Sequence, residues 1–415
     1  MLKTQVTKRK IVLLLCCTTF LYQAESQKKN FDYSFYGFVR GDLYYNSRTN
    51  IEAVDGLFYI YPKDHLYDAD GKDLNKKPSS SFYTFTTRLG MNLKGPDIGK
   101  AKTSANIESD FGGTTDISFM LRIRQAYVKL DWEKGSSLLL GQTWHPLFGD
   151  VVPNVLNLAT GAPFQPFNRS PQINYQYRNG GLKLTASALY QLIYTSVGPD
   201  GKSEKYQKNG ALPELYAGVD YKAGNFLFGA GADMISLKPR LQSVADNKTY
   251  SVNERVTAFS YDFHAKYTHE KFQLSGKTLI ASNQTHNVML GGFGVTEIDS
   301  RTGEQKYTPI KNSTSWLNFV YGQKYQGSIF AGYSKNLGSS KSLVSADKIY
   351  GSGIDIDQFV NLSFHLKYNL PHWNVGLGYT WATAWFGDIN LSDGKVKNTH
   401  DVTNHRVEAI FMYLF

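Results

Sequence analysis

The segment His405–Phe415 reads HRVEAIFMYLF and constrains the fold more than any other part of the chain. Val407, Ala409, Phe411, Tyr413 and Phe415 share one parity, while Arg406 and Glu408 begin the other. Period-two alternation means a β-strand. One face of that strand is apolar and aromatic up to the final carboxylate. A soluble β-protein gains little from such an edge, whereas a strand in a transmembrane barrel needs one apolar face with aromatics at the lipid interface.

The opening residues agree. Lys3, Lys8, Arg9 and Lys10 precede an apolar stretch, Ile11–Tyr22, that is too short to span a bilayer, and Ala24-Glu25-Ser26 fits a small-x-small cleavage site. Residues 1–26 therefore read as a secretory signal peptide, with the mature barrel expected over 27–415. Both cysteines, Cys16 and Cys17, fall in the leader, so the mature chain has no disulfide, thiolate metal site or cysteine nucleophile to offer. Removing the leader's four Lys/Arg and one Asp/Glu lowers the net charge from +10 to +7. No basic block has the geometry of a nucleic-acid site, so no nucleic-acid partner is expected.

Hydrophobic residues make up 41 % of the chain and mean hydropathy is −0.36, yet aromatics reach 14 %. That balance suits a barrel whose strands show one face to water and one to lipid. Sixteen amphipathic runs can be marked, from Tyr33–Asn46 to Thr403–Phe415. The connections after even-numbered runs are tight, such as Glu133–Gly135, Asn179–Gly180 and Ala223–Gly224. Those after odd-numbered runs are long, such as Ser47–Ser81, Val151–Ser170 and Asn283–Ser313, the third connection, Gly113–Ser118, excepted. This parity predicts an all-β fold: a transmembrane antiparallel up-and-down barrel of sixteen strands, with short turns at the periplasmic rim and long loops outside. Tyr33 follows the cleavage site too closely for a plug domain.

Charges in the first four runs share a phase opposite to apolar residues: Arg40 and Asp42; Arg88; Glu108 and Asp110; Arg122 and Arg124. An Arg on the lipid face costs about 2–4 kcal/mol at the midplane, so these seven should line the lumen. They are either a selectivity wall or a paired structural network, and the two readings are compatible. After Arg124 the pattern inverts: Ala126, Val128 and Leu130 take the inward phase. A β-bulge that resets the register is the favoured explanation, burial against another subunit the alternative.

The loop 145–170 carries Leu147, Phe148, Val151, Val152, Phe164 and Phe167. A wholly external loop gains nothing from so many apolar groups, so this one is expected to fold inward and constrict the lumen, with His145, Asp150, Asn154, Phe164 and Arg169 as its candidate site residues. Catalytic residues, metal ligands and cofactors are not expected. There is no G-x-S-x-G, no H-E-x-x-H, and no serine after Asn404-His405 to complete a barrel-phospholipase arrangement. Asp68–Asp73 looks like a calcium loop but lacks the following Glu.

The stretches IESDFGG, LRIRQAYVKLDW and LLLGQTWHPLF, spanning Arg88–Phe148, resemble the DcaP-like trimeric porins of Gram-negative outer membranes. The resemblance carries Glu108, Asp110, Arg122, Arg124, Gly141, Gln142, Thr143 and Trp144. It implies a homotrimer of sixteen-stranded pores in the outer membrane that favour small anionic solutes. The chain departs from that pattern in having no helical coiled-coil extension, so trimerisation would rest on barrel contacts. Phe411, Tyr413 and Phe415 resemble the terminal signal read by the barrel-assembly machinery. The expected function is passive diffusion of small hydrophilic solutes. A substrate-specific channel and a non-conducting adhesive barrel are the alternatives.

Overall fold

The computed structural model describes residues 31–114 and 117–415. The leader, its cleavage site and the tip of the loop 113–118 lie outside them. Sixteen strands form the wall: β1 (Asp32–Asn46), β2 in two pieces (Ser79–Tyr83 and Arg88–Lys94), β3 (Ala101–Thr114), β4 (Ile117–Trp132), β5 (Ser136–Trp144), β6 (Arg169–Asn179), β7 (Leu182–Leu189) and β8 (Glu214–Ala223). They continue as β9 (Phe226–Leu237), β10 (Val256–His269), β11 (Phe272–Ser282), β12 (Gln305–Gly322), β13 (Tyr325–Ser339), β14 (Ile356–Asn369), β15 (Trp373–Ile389) and β16 (Val396–Leu414). Each pairs antiparallel with the next, and β16 pairs with β1 over Phe38↔Leu414 to Asn46↔Arg406. The sheet is a closed sixteen-stranded barrel, so every strand edge is paired.

The alternation in sequence becomes two surfaces. Phe35, Leu121, Leu317 and Leu366 project outward and are exposed, whereas Asn318, Ser260, Thr314 and Arg406 are buried inside. At the seam, the Phe415 ring lies over Gly37 and the Phe411 ring over Gly41, and Phe415 exchanges both backbone hydrogen bonds with Gly37 at 3.2 Å. A Cβ at Gly41 would stand 2.3 Å from the Phe411 ring. Aromatic side chains here cover bare glycine backbone on the neighbouring strand.

The inverted pattern in β4 has its cause in a bulge. Glu108 pairs with Gln125 and Ser109 with Ile123, leaving Arg124 as the extra residue. Beyond it Asn106 opposes Tyr127 and Ser104 opposes Lys129, so Gln125, Tyr127 and Lys129 take the inward phase and Val128 is exposed outside. On β5, Gly141 adopts φ +132°, and a Cβ there would sit 2.3 Å from Ala126 O. Only glycine fits the close approach of β5 to the bulged strand. Gln142 satisfies the carbonyls the bulge disturbs: its Nε2 donates to Ile123 O at 3.0 Å and Arg124 O at 3.1 Å.

Two expectations need correction. The second of the sixteen amphipathic runs, marked in the sequence as Phe82–Lys94, is not one continuous strand: Thr84–Thr87 leave the ladder, and Arg40 N donates to Thr87 Oγ1 at 3.1 Å across the gap. The connection Ser47–Ser81 is not wholly external. Its hairpin, Asn50–Ala53 with Phe58–Pro62, packs Val54, Leu57, Phe58 and Ile60 into an apolar core inside the barrel. There it meets Phe148, Phe164 and Phe167 of the loop after β5 and wall residues such as Trp316, Phe330 and Phe359. The hairpin is short and its apolar residues are consecutive, so its burial depends on a partner that lies far away in sequence.

Candidate solute path

The charges of β1–β4 converge as a paired network. Asp110 accepts from Arg122 Nε at 2.8 Å and from Arg124 Nη1 at 2.7 Å; Arg124 Nε reaches Glu108 at 2.8 Å. Arg88 lies 3.7 Å from Glu108, and Arg40 is bidentate on Asp42. These pairs follow from register: Arg88 opposes Asp110 across β2–β3, and Asp110 opposes Arg122 across β3–β4. Such buried groups are fixed rather than free, because a carboxylate left unpaired in the wall would carry a large desolvation penalty.

Arg169 is the exception. It is the first residue of β6 rather than part of the loop, since it pairs with Trp144 at the end of β5. Its guanidinium is buried among Trp144, Phe167 and Tyr194, with ring centroids at 4.7, 5.2 and 5.3 Å, and donates to Tyr194 Oη at 2.7 Å. Its Nη1 has no partner among the described residues. Cation–π contact takes the place of a carboxylate.

From His145 the loop crosses the lumen, hung from side chains spread around the wall. Lys277 of β11 donates to Leu147 O at 2.7 Å and Phe148 O at 2.9 Å. Lys183 of β7 holds the Asp150 carboxylate at 2.6 Å, and Lys266 of β10 reaches Asp150 O at 3.2 Å. Asn154 N donates to Asn318 Oδ1 at 2.8 Å, Ser328 donates to Asn154 O at 2.9 Å, and Lys367 bonds the Asn154 side chain. Arg40 of β1 donates to Leu156 O at 2.8 Å. Phe164, fully buried, stacks on Phe359 at 5.0 Å and meets Phe330 edge-on at 6.1 Å. The sequence signalled this loop by its apolar content; its cationic anchors sit one or two to a strand and left no local pattern.

Two cavities border the loop and a third borders the inserted hairpin. One of about 540 Å³ at the rim of short turns is lined by Arg178, Lys183, Lys222 and Lys266 against Asp150 and Asp220. It shares Asp150, Lys183 and Asp220 with a cavity of about 260 Å³ under the loop, which Trp144, His145, Phe148 and His264 also line. A third, of about 110 Å³, is lined by Arg122, Tyr194 and Lys202 with the inserted hairpin, and contains no carboxylate in its lining. Apart from Arg169, the basic residues of β6–β11 were not among the sequence candidates, because their partners lie on other strands or in the loop after β5.

One set of possible metal ligands converges among the described residues: His145 and His286 place Nε2 at 3.0 and 2.9 Å from Glu214 Oε1, all three buried. Leu147 N donates to His145 Nδ1 at 3.1 Å. That bond requires a bare Nδ1 and leaves the ring's proton on Nε2, pointing at Glu214. The trio therefore suits hydrogen bonding between loop and wall better than a metal.

No protein-family model matches the sequence. No curated protein matches it either. Solved structures do share its fold. The outer membrane channel DcaP of Acinetobacter baumannii superposes with TM-score 0.64 at 18 % identity, over 94 % of this chain and 98 % of that one. The anion-selective porin of Comamonas acidovorans gives 0.54 at 13 % identity, over 93 % and 100 %. The trimer form of OmpT, an outer membrane protein of Vibrio cholerae, gives 0.53 at 11 % identity, over 93 % and 100 %. What the chain shares with these outer-membrane proteins is the fold, which in this chain is a closed barrel of sixteen antiparallel strands.

Proposed function

We propose that this protein is a passive channel of a Gram-negative outer membrane that admits small hydrophilic solutes and prefers anionic ones. The observation that carries the preference is a set of interior cations with neutral partners. Arg169 is held by aromatic rings and a tyrosine hydroxyl, Lys277 by two loop carbonyls, and Lys367 by Asn154 and Val155 O. The paired Arg of β1–β4 nearly cancel; Arg169 and Lys367 have no carboxylate partner, and a confined low-dielectric lumen magnifies uncompensated charge. The resemblance to DcaP-like porins supports a homotrimer, surrounded by outer-membrane lipid and inserted by the barrel-assembly machinery through Phe411, Tyr413 and Phe415. The apolar core that hairpin and loop build across the lumen favours a second reading, a narrow substrate-specific channel; ion current that saturates with solute would distinguish it.

The test is reversal potential across a KCl gradient with purified protein in a planar bilayer. The native protein should favour chloride. Arg169→Gln should weaken that preference without exposing an acid. Arg122→Gln with Arg124→Gln should reduce or invert it, because Asp110 loses both its arginines and Glu108 keeps only Arg88. Cation preference in the native protein refutes the anionic reading, and absence of conductance refutes the channel.

A further inference from the structure

We propose that His264 is a specificity-determining residue of the solute path, and that it makes the anion preference respond to pH in the neutral range. This rests on the channel reading above.

His264 projects from β10 into the cavity of about 260 Å³ beneath the constriction loop. Its Nδ1 lies 2.6 Å from Asp262 Oδ2 and its Nε2 lies 2.8 Å from Asp220 Oδ1. Ionised carboxylates only accept hydrogen bonds, so the ring donates from both nitrogens, which only the imidazolium can do. The neighbouring strand β9 is built to receive this arrangement. A Cβ at Gly229 would stand 2.1 Å from His264 Nε2, and one at Gly231 would stand 2.3 Å from Asp262 Oδ1. Two glycines in one strand interior leave room for a carboxylate–imidazole–carboxylate line, a substitution pattern with a cost in strand stability.

The groups facing the ring define its electrical effect. On β7, Lys183 bridges Asp220 at 3.0 Å and Asp150 of the loop at 2.6 Å. On β8 stand Asp220 and Tyr216; on β10, Asp262 and Lys266; on β11, Lys277. His145, at the other end of the cavity, is turned to Glu214. With the imidazolium in place, Lys183, Lys266, Lys277 and His264 face Asp150, Asp220 and Asp262, an excess of one positive charge. Loss of its proton removes that excess. That cavity opens through shared residues Asp150, Lys183 and Asp220 into the basic mouth, so the change is felt on the path rather than in the wall. Imidazole is the side chain whose ordinary titration falls in this range.

The experiment is the anion-to-cation permeability ratio of the native protein from pH 5.5 to 9. The expected result is a fall of about threefold or more, the size of one charge about 10 Å away at an intermediate dielectric. His264→Gln should be flat over this range, at the native high-pH value. Asp220→Asn removes one carboxylate charge beside the ring and should move the native transition to lower pH, which keeps the proposal testable should His264→Gln fail to insert. A flat native profile, or a profile in His264→Gln as steep as the native one, overturns the proposal while leaving the channel intact. A protein that does not conduct at any pH overturns the channel reading instead.

Discussion

Replacing Phe164 by Ala should undock the constriction loop while leaving the barrel closed. The ring is fully buried, stacked on Phe359 and pressed against the bare backbone of β13 at Gly332, where a Cβ would stand 2.6 Å from it. Truncating such a phenylalanine costs about 3–5 kcal/mol. The neighbouring hydrogen bonds from Asn154 to Asn318, from Ser328 to Asn154 and from Trp316 to Gln165 contribute roughly 0.5–1.5 kcal/mol each. One ring therefore contributes about as much to docking as the three together. Losing about 4 kcal/mol raises the undocked population roughly a thousandfold. Single-channel recording should show frequent excursions to higher conductance, with the heat-dependent gel shift of a folded barrel retained. Leu366→Ala, at a lipid-facing position, should leave the current unchanged. Native conductance and noise in folded Phe164→Ala would refute the idea that this ring holds the loop across the path.

Deleting Asn154–Pro163 should raise conductance in a barrel that still folds; unchanged conductance would place the loop off the path. Deleting Phe415 strips the ring from Gly37 and should reduce outer-membrane levels, with periplasmic accumulation or degradation; normal levels would count against a terminal insertion signal. In the hairpin loop, partial burial raises the Asp73 pKa, but hydrogen bonds from Arg48, His65 and the N–H groups of Asn75 and Leu66 outweigh it and hold the carboxyl well below the usual range. Its contribution is present above the ordinary carboxylate range and is lost as pH falls through the lowered value. Asp73→Asn should therefore speed amide exchange at Leu66 and Asn75 at neutral pH, while the native loop stays protected at pH 4; equal exchange in the two proteins would refute the tie.

Much of the site was visible in the sequence where chemistry is local. Arg122 and Arg124 alternate with apolar residues, so their inward phase could be read directly, and the inverted phase after Arg124 pointed to a bulge. Whether those arginines are free could not be read, because Asp110 and Glu108 reach them through inter-strand register. Arg169 looked like one more loop charge; its cage needs Trp144, Phe167 and Tyr194 brought together from two loops and the end of β5. His264 gave no signal, since its two carboxylates and the glycines beneath it come from three strands.

Period-two alternation, the aromatic terminal strand and the parity of turn lengths determined the barrel and its strand number. Those features act within single strands and hairpins, where sequence neighbours are spatial neighbours. Tertiary structure alone decided what fills the barrel. The inserted hairpin and the cationic anchors Lys277 and Lys367 depend on closure, and the Asp220–His264–Asp262 line depends on the register of β8–β10. Only a closed wall brings residues from opposite sides within reach of one loop, and it is their charges and hydrogen bonds, summed across the lumen, that shape the path.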